Sequence, residues 1–439
     1  MLQGKIVITG MGLVTPLGGN VAENLAGVFA GKTGLICPRE EERTGGALCL
    51  GRIPVLPPFE DISAKLSTQM RFLNRGSLLG FAAAREACAG APGIFSGIPP
   101  ERRSLFVASG DLTQVGYEFM YPATTAGTEG RWESMNFEKL NKATINHVNP
   151  FFLLESIYNN PFSFLSAFFE FMGPNTSIAS LSPCGGHALE LAWRTLRNGD
   201  ADIALAVGCG NWITEIPVYE METLGILSRC RDGEKSYRPF DRRRDGFIPS
   251  EGAAAMLLET SESAEARGAE ILGILHGFGN CIELPHSRGL EVPREVSRRS
   301  MLEAICEADC RMGDLGFICP HGSGTSKGDR SELRSIISVF GEDGGGIPIC
   351  ALKPFTGHMA AASDIGEVIL GVGAAAASTV PGMLNFREPD AEFARLNLSS
   401  ERRPIRNPFF LSTSYGVLGE SSSVVVEAVE PQRGGKPSR

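Results

Sequence analysis

Strand-like and helix-like stretches alternate along most of this chain. KIVITGMGLV, SLFVAS, ADIALAVGCG and AAAMLLE are apolar runs closed by turn residues, the pattern of strands buried on both faces. Between them, GSLLGFAAAREACAG and GGHALELAWRTLRNG repeat apolar residues at helical spacing. In the second, Leu189, Ala192, Trp193 and Leu196 share one face, and Gly199 marks the stop. From Arg267 a similar order begins again. EILGILHGFGN reads as a strand, VSRRSMLEAICEADC as a helix, GFICPHGSG as a strand ending in a turn and GEVILGVGAAAAS as a helix. PFFLSTSYGVLGESSSVVVEAV reads as a hairpin that closes the sheet. The pattern predicts α/β layers in two halves, residues 1–266 and 267–429, with similar element order but no close sequence repeat. The stretch from Gly110 to Phe171 breaks the alternation. Rich in aromatics, Asn and Pro, it predicts insertions and helices that cover a core. Residues 430–439 predict a disordered tail.

Composition narrows this picture. At 439 residues, 43% hydrophobic and 21% charged, the chain is neither disordered nor fibrous. A net charge of −9 argues against a broad nucleic-acid surface, and the basic run Arg242, Arg243 and Arg244 reads as solvated charge or local salt bridges. MLQGKIVITGMG enters a strand rather than a secretory signal. Glu170 and Glu367 interrupt the apolar stretches before they reach membrane-spanning length. The expectation is a soluble, cytoplasmic protein that meets neither membrane nor nucleic acid. Its 11 cysteines are scattered without CxxC pairs; Cys306 and Cys310 could share a helix face but have no His or second pair nearby. Reduced thiols, no disulfide and no metal are expected.

Three segments carry candidate chemistry. In SIASLSPCGGHALELAW a strand-like run ends, Pro183 and Cys184 turn the corner, and an amphipathic helix follows. A cysteine at a helix N-terminus faces unpaired N–H groups and the positive end of the dipole, both of which favour thiolate. Gly185 and Gly186 leave room for a substrate carbonyl. His321 stands in the Gly-rich turn CPHGSGTSKGDRSE, and Lys353 and His358 flank the turn in ALKPFTGHMAAASDIGE. Individually these residues are equally at home in a core or on a surface. Together they are a nucleophile for an acyl group, two imidazoles able to donate to a developing enolate oxygen, and a cation that holds the local electrostatics.

At these residues the sequence closely resembles the β-ketoacyl-carrier-protein synthases of the elongating Cys-His-His type. VITGMGLVTPLG, NPFFLLESIYNN, GDADIALAVG, RPFDRRRDGFIPSEGAAAMLLE, HGSGTSKGDRSE, LKPFTGHMAAA and STSYGVLGESSSVVV match in order over nearly the whole chain. The resemblance implies a thiolase-like fold, two related halves stacked as five α-β-α-β-α layers, working as a homodimer or as a heterodimer with a related subunit. It implies that Cys184 takes the acyl group from a carrier thioester. A malonyl carrier then loses carbon dioxide beside His321 and His358, and Lys353 acts structurally and electrostatically with Glu332 as supporting partner. It further implies an oxyanion hole from the N–H groups of Cys184 and Tyr415, beside Gly416, and places Ser323 and Thr325 near the pantetheine arm. No resident cofactor is implied, because phosphopantetheine arrives on the acyl carrier protein. Aromatics of the 110–171 segment would be available to line an acyl tunnel.

The chain departs from the family pattern at Pro183 and Gly185, where the family has small residues and Ser, Thr or Ala. It departs again in the turn SYGVLGES, where the family commonly reads SFGFGGTN. Leu418 replaces a glycine, Glu420 and Ser421 replace Thr and Asn, and Tyr415 adds a hydroxyl that needs a partner if buried. The carrier-docking places hold Thr68, Gln69 and Gly225 in lieu of basic residues, with Lys65, Arg71 and Arg75 close by. The alternatives are a non-catalytic partner subunit, against which all four reactive residues speak, an acyltransferase that loads without condensing, and a thiolase. No cysteine between Leu411 and Val429 supplies a thiolase's second thiol.

Overall fold

The computed structural model describes residues 4–39, 48–56, 59, 62–89, 97–110, 124–125, 128, 135–148, 157, 159–180, 182–285 and 291–429. Nine strands form its main sheet: β1 (Ile6–Val14), β2 (Arg103–Ser109), β3 (Asn175–Ala179), β4 (Ile203–Asn211), β5 (Glu251–Thr260), β6 (Gly273–Ile282), β7 (Leu315–Cys319), β8 (Phe409–Tyr415) and β9 (Glu420–Ala428). Their order is β3-β2-β4-β5-β1-β6-β9-β8-β7.

That order contains a repeat invisible as sequence identity. From β1 outward, β5 and β4 pair antiparallel and β2 joins β4 in parallel. From β6 outward, β9 and β8 pair antiparallel and β7 joins β8 in parallel. The halves meet where Ile6, Val7 and Ile8 pair with Leu275, Ile274 and Gly273.

Helices complete the layers: α1 (Arg75–Ala89), α2 (Cys184–Arg197), α3 (Arg298–Glu307), α4 (Ser326–Phe340) and α5 (Ala361–Ala376). Helices α2 and α5 pack on each other between the two half-sheets, while α1 covers the outer face of one and α3 that of the other. This gives the thiolase-like five-layered α-β-α-β-α arrangement. The strands read as apolar runs because both faces are covered. On β4, Ala204 and Ala206 face the central helices, while Leu205 and Val207 face α1. Contact with α1 is close: a Cβ at Gly12 would lie 1.9 Å from the Ala83 carbonyl oxygen.

Among the described aromatics of the 110–171 segment, Phe164 and Phe169 pack around Phe81 of α1, with ring centroids 5.0 and 6.3 Å away. They fill a core. Phe168 and Phe171 belong to the same core and Phe137 is exposed, while the tyrosines and Trp132 of the segment and the 430–439 tail lie outside the described residues. No helix is long and apolar enough to cross a membrane, and no cluster of three metal-ligating side chains occurs among the described residues.

One expectation is overturned: Cys37 and Cys49 form a disulfide. Leu35–Ile36 pairs antiparallel with Leu50–Gly51, which sets the two cysteines opposite each other just beyond the last ladder pair. The scattered spacing hid this, because the pairing depends on the register of two very short strands. In the chain-entropy view, closing so short a loop contributes about 3 kcal/mol. The Arg242–Arg244 run does form local ion pairs. Arg242 meets Glu388 at 2.8 Å, Arg243 meets Asp241 at 2.8 Å, and Arg244 is buried between Asp390 at 2.8 Å and Asp329 at 3.5 Å.

Candidate active site

Cys184 is the first residue of α2, where the chain leaves the end of β3 and turns inward. It is fully buried, and its Sγ donates to the Ser180 carbonyl oxygen at 3.0 Å. Pro183, the cap residue, offers no side-chain acceptor to the helix. Asp364, from the first turn of α5, takes that role instead: its carboxylate accepts the Gly185 N–H at 3.0 Å and the Ser182 hydroxyl at 3.3 Å.

The expectation of a thiolate is corrected. Burial pushes the Cys184 thiol well above its ordinary pKa, and the nearby charge of Asp364 pushes it further. Desolvation is the leading cause, and the helix terminus acts against it.

His321 follows β7 directly, and Glu332 of α4 fixes its backbone. The two carboxylate oxygens accept the N–H groups of His321 at 2.7 Å and Gly322 at 2.9 Å. Burial raises Glu332 to about 8. Lys353, fully buried at the start of a single helical turn, donates to the His321 carbonyl at 2.7 Å and approaches its Nδ1 at 3.2 Å. Its carboxylate partner is Glu367 on α5, at 2.8 and 2.9 Å. Glu332, expected as a supporting partner, holds the histidine turn and feels the Lys353 charge, while the ion pair itself is made by Glu367. Glu367 was read only as a charge interrupting an apolar run. Its signal was in the pattern, since a carboxylate inside a helix as apolar as GEVILGVGAAAAS requires a buried partner.

The His358 ring packs edge-on to that of His321, centroids 5.1 Å apart, with Trp212 at 4.8 Å and Phe247 at 5.0 Å. Neither aromatic was singled out from the sequence. Burial and the Lys353 charge lower both histidines well below the ordinary value, so both are neutral at pH 7. An ammonium facing Nδ1 of His321 makes that nitrogen the acceptor and leaves the proton on Nε2. His321 is thereby set to donate from Nε2 into the site.

The departures from the family pattern are accommodated here. Tyr415 is buried and finds its partner: its hydroxyl donates to the Ser323 oxygen at 3.0 Å, and its ring lies 4.5 Å from that of His321. Ser323 shares a hydrogen bond with Thr325 at 2.8 Å and donates to Asp329 at 3.1 Å. Tyr415→Phe is expected to cost about 1 kcal/mol in denaturant unfolding, the net worth of one such bond, with the fold retained. Gly416 lies against the Ser182 carbonyl, beside the turn that presents Cys184, and its N–H donates to the Glu420 carbonyl at 2.8 Å. Val417 and Leu418 are exposed. Of the basic residues near the docking places, Lys65 and Arg71 are exposed, while Arg75 is held by buried Glu251 at 2.5 Å.

Residues expected from distant segments are thus joined by contact. Cys184 and Gly185 meet Asp364, its helix carries Glu367, Glu367 holds Lys353, Lys353 holds His321, and His321 meets His358 and Tyr415. Comparison with known proteins shows the family and the fold. Residues 3–264 match "Beta-ketoacyl synthase, N-terminal domain" and residues 280–387 match "Beta-ketoacyl synthase, C-terminal domain". The chain is 26% identical over 435 residues to the 3-oxoacyl-[acyl-carrier-protein] synthase 2 of Coxiella burnetii, covering 98% of this chain and 100% of that one. A type II PKS ketosynthase, solved in complex with its acyl-carrier protein and bound to the hexaketide, superimposes with a TM-score of 0.81. Identity there is 24%, over 97% of this chain and 99% of the other. The ishigamide ketosynthase/chain length factor gives a TM-score of 0.81 at 21% identity, with the same coverage of 97% and 99%. With both family domains matched in order on this fold, the chain belongs to the β-ketoacyl synthase family, condensing enzymes of the acyltransferase class.

Proposed function

We propose that this enzyme extends an acyl chain by decarboxylative condensation at Cys184. The thiol attacks the carbonyl of an acyl-carrier thioester; the carbon–sulfur bond to the carrier breaks, and the proton passes to the departing pantetheine sulfur. A malonyl carrier then enters and loses carbon dioxide, and its thioester oxygen gains charge as the enolate forms. Neutral His321 and His358 donate to that oxygen, the enolate carbon attacks the acyl-Cys184 carbonyl, and the cysteine sulfur leaves. The N–H groups of Cys184 and Tyr415 receive the oxyanion of that second step. Ser323 and Thr325 meet the pantetheine arm, which comes with the carrier and makes a resident cofactor unnecessary.

The observation that carries this reading is the buried Lys353–Glu367 pair, which orients one of two adjacent histidines while both stay neutral. Neutral imidazoles can donate to an enolate without first protonating it, which is the demand of decarboxylation. The partners are an acyl carrier protein and a second subunit, and the working place is the cytoplasm. Among the described residues β3 is an edge strand of the main sheet, where a ladder could continue into that subunit. The docking places, short of basic residues, favour a specialised carrier in fatty-acid, polyketide or polyene synthesis.

Purified protein incubated with acyl-loaded and malonyl-loaded carriers, followed by intact mass spectrometry, tests the reading. A Cys184-dependent 3-ketoacyl carrier is the expected product. Acylated enzyme that never yields product would replace it with a loading transferase or a subunit lacking its partner. Unchanged masses with every carrier would point to a non-condensing subunit.

A further inference from the structure

Helix α5 brings two carboxyl groups, Asp364 and Glu367, into the central layer within one turn, and both are buried. Glu367 forms the ion pair with Lys353. Among the described residues Asp364 forms no ion pair. It is seated on the nucleophile turn, with the Gly185 N–H and the Ser182 hydroxyl as donors and the Ser414 hydroxyl as a third. The seat is built for it. A Cβ at position 185 would lie 3.0 Å from the Asp364 Cβ and Oδ2, and 2.1 Å from the Ala361 carbonyl oxygen, so glycine at 185 lets α5 come this close to α2. The missing side chain at 185 and the carboxylate at 364 are therefore one feature, and it bears on Cys184, which precedes that glycine.

The carboxylate occupies an N–H at the very end of α2 that would otherwise be turned toward a thiolate. It also places a negative charge where the helix terminus is positive. We propose that Asp364 is a positioning residue for the nucleophile: while ionised it adds to burial in holding Cys184 as the thiol, and by taking up a proton it releases the helix terminus and makes the thiol a stronger acid. This rests on the reading of Cys184 as the nucleophile. Burial raises Asp364 to about 6, against the opposing pull of Lys353 and its three donors, so the change falls in a usable range. The charged and titratable groups around the pair are Lys353, Glu367 and Cys209. Glu367, raised to about 7, is the one whose titration must be told apart.

The test reads the thiol itself, with no carrier present, so its outcome is independent of whether condensation occurs. Wild-type protein and Asp364→Asn are alkylated with iodoacetamide between pH 5 and 8.5. Cys184 is followed by peptide mass spectrometry, and Cys184→Ala serves as the blank. In the wild type the logarithm of the rate should climb, flatten over about one pH unit from near 6, and climb again, because each Asp364 that ionises makes the thiol a weaker acid. In Asp364→Asn the flattening should vanish, and at pH 7.5 Cys184 should react about tenfold faster, the equivalent of one pKa unit. The asparagine oxygen can still accept the Gly185 N–H, so a merely structural Asp364 would leave the two profiles superimposed, whatever happened to the melting temperature. Superimposed profiles, or a flattening that survives in Asp364→Asn, would overturn the proposal. Should that variant fail to fold, an unbroken slope in the wild type would overturn it equally.

Discussion

Lys353→Met should destabilise the enzyme by about 3–5 kcal/mol, the usual result of leaving one member of a buried ion pair alone. For a chain of 439 residues this is a fall of roughly 3–5 °C in the thermal midpoint. The loss should depend on pH, with a sign fixed by Glu367. Burial raises this carboxyl to about 7 even with Lys353 beside it, so without the ammonium it rises further. A carboxyl whose folded pKa lies above its unfolded value makes the protein less stable as pH climbs from the unfolded toward the folded value. The deficit of Lys353→Met relative to wild type should therefore widen above pH 7 and narrow toward pH 5, where Glu367 is protonated in both. Lys353→Met/Glu367→Met should recover most of the midpoint, since a buried ion pair exchanged for apolar groups of similar volume is often neutral. Condensation should stay depressed in the double variant, because nothing then faces Nδ1 of His321. Scanning calorimetry at pH 5.5, 7 and 8.5 checks this. A deficit independent of pH, or condensation restored in the double variant, would show that the pair does not orient the histidine.

The layers were legible because strands covered on both faces cannot hide. Apolar runs such as Ile203–Val207 admit few other readings, and the expected hairpin forms between Phe409–Tyr415 and Glu420–Ala428. The same holds for Cys184, His321, Lys353 and His358, each at a turn where a strand or helix begins or ends. Less legible was anything fixed by which residue meets which across the chain. Glu367 and Glu332 are both carboxylates near the site, and only the packing of α5 and α4 shows that the first neutralises Lys353 while the second binds the His321 turn. The Cys37–Cys49 bond hangs on a two-residue ladder. The protonation state of Cys184 was misjudged because a helix terminus is visible in a sequence and the depth of burial is not.

The last expectation separates the two halves of the reaction. Cys184→Ala should abolish acyl transfer with the fold intact, since α2 loses one sulfur from its first turn and keeps every backbone bond. His321→Ala and His358→Ala should still acylate Cys184 but condense more slowly by on the order of 10²–10³, the usual loss when one oxyanion donor is removed. The measurement is single turnover: enzyme already acylated on Cys184 is mixed with a malonyl carrier, and product is quenched and weighed. Starting from acyl-enzyme removes the thiol from the pH dependence. Both imidazoles lie well below the ordinary histidine value, so they are neutral on either side of 6.5. Between pH 6 and 8 the wild-type rate should thus carry no inflection that belongs to either imidazole. A fall in rate below about 6.5 that disappears in His321→Ala would mean that this imidazole acquires its proton in the range where burial should forbid it. The donor role of a neutral pair would then have to be given up for one of a charged acid.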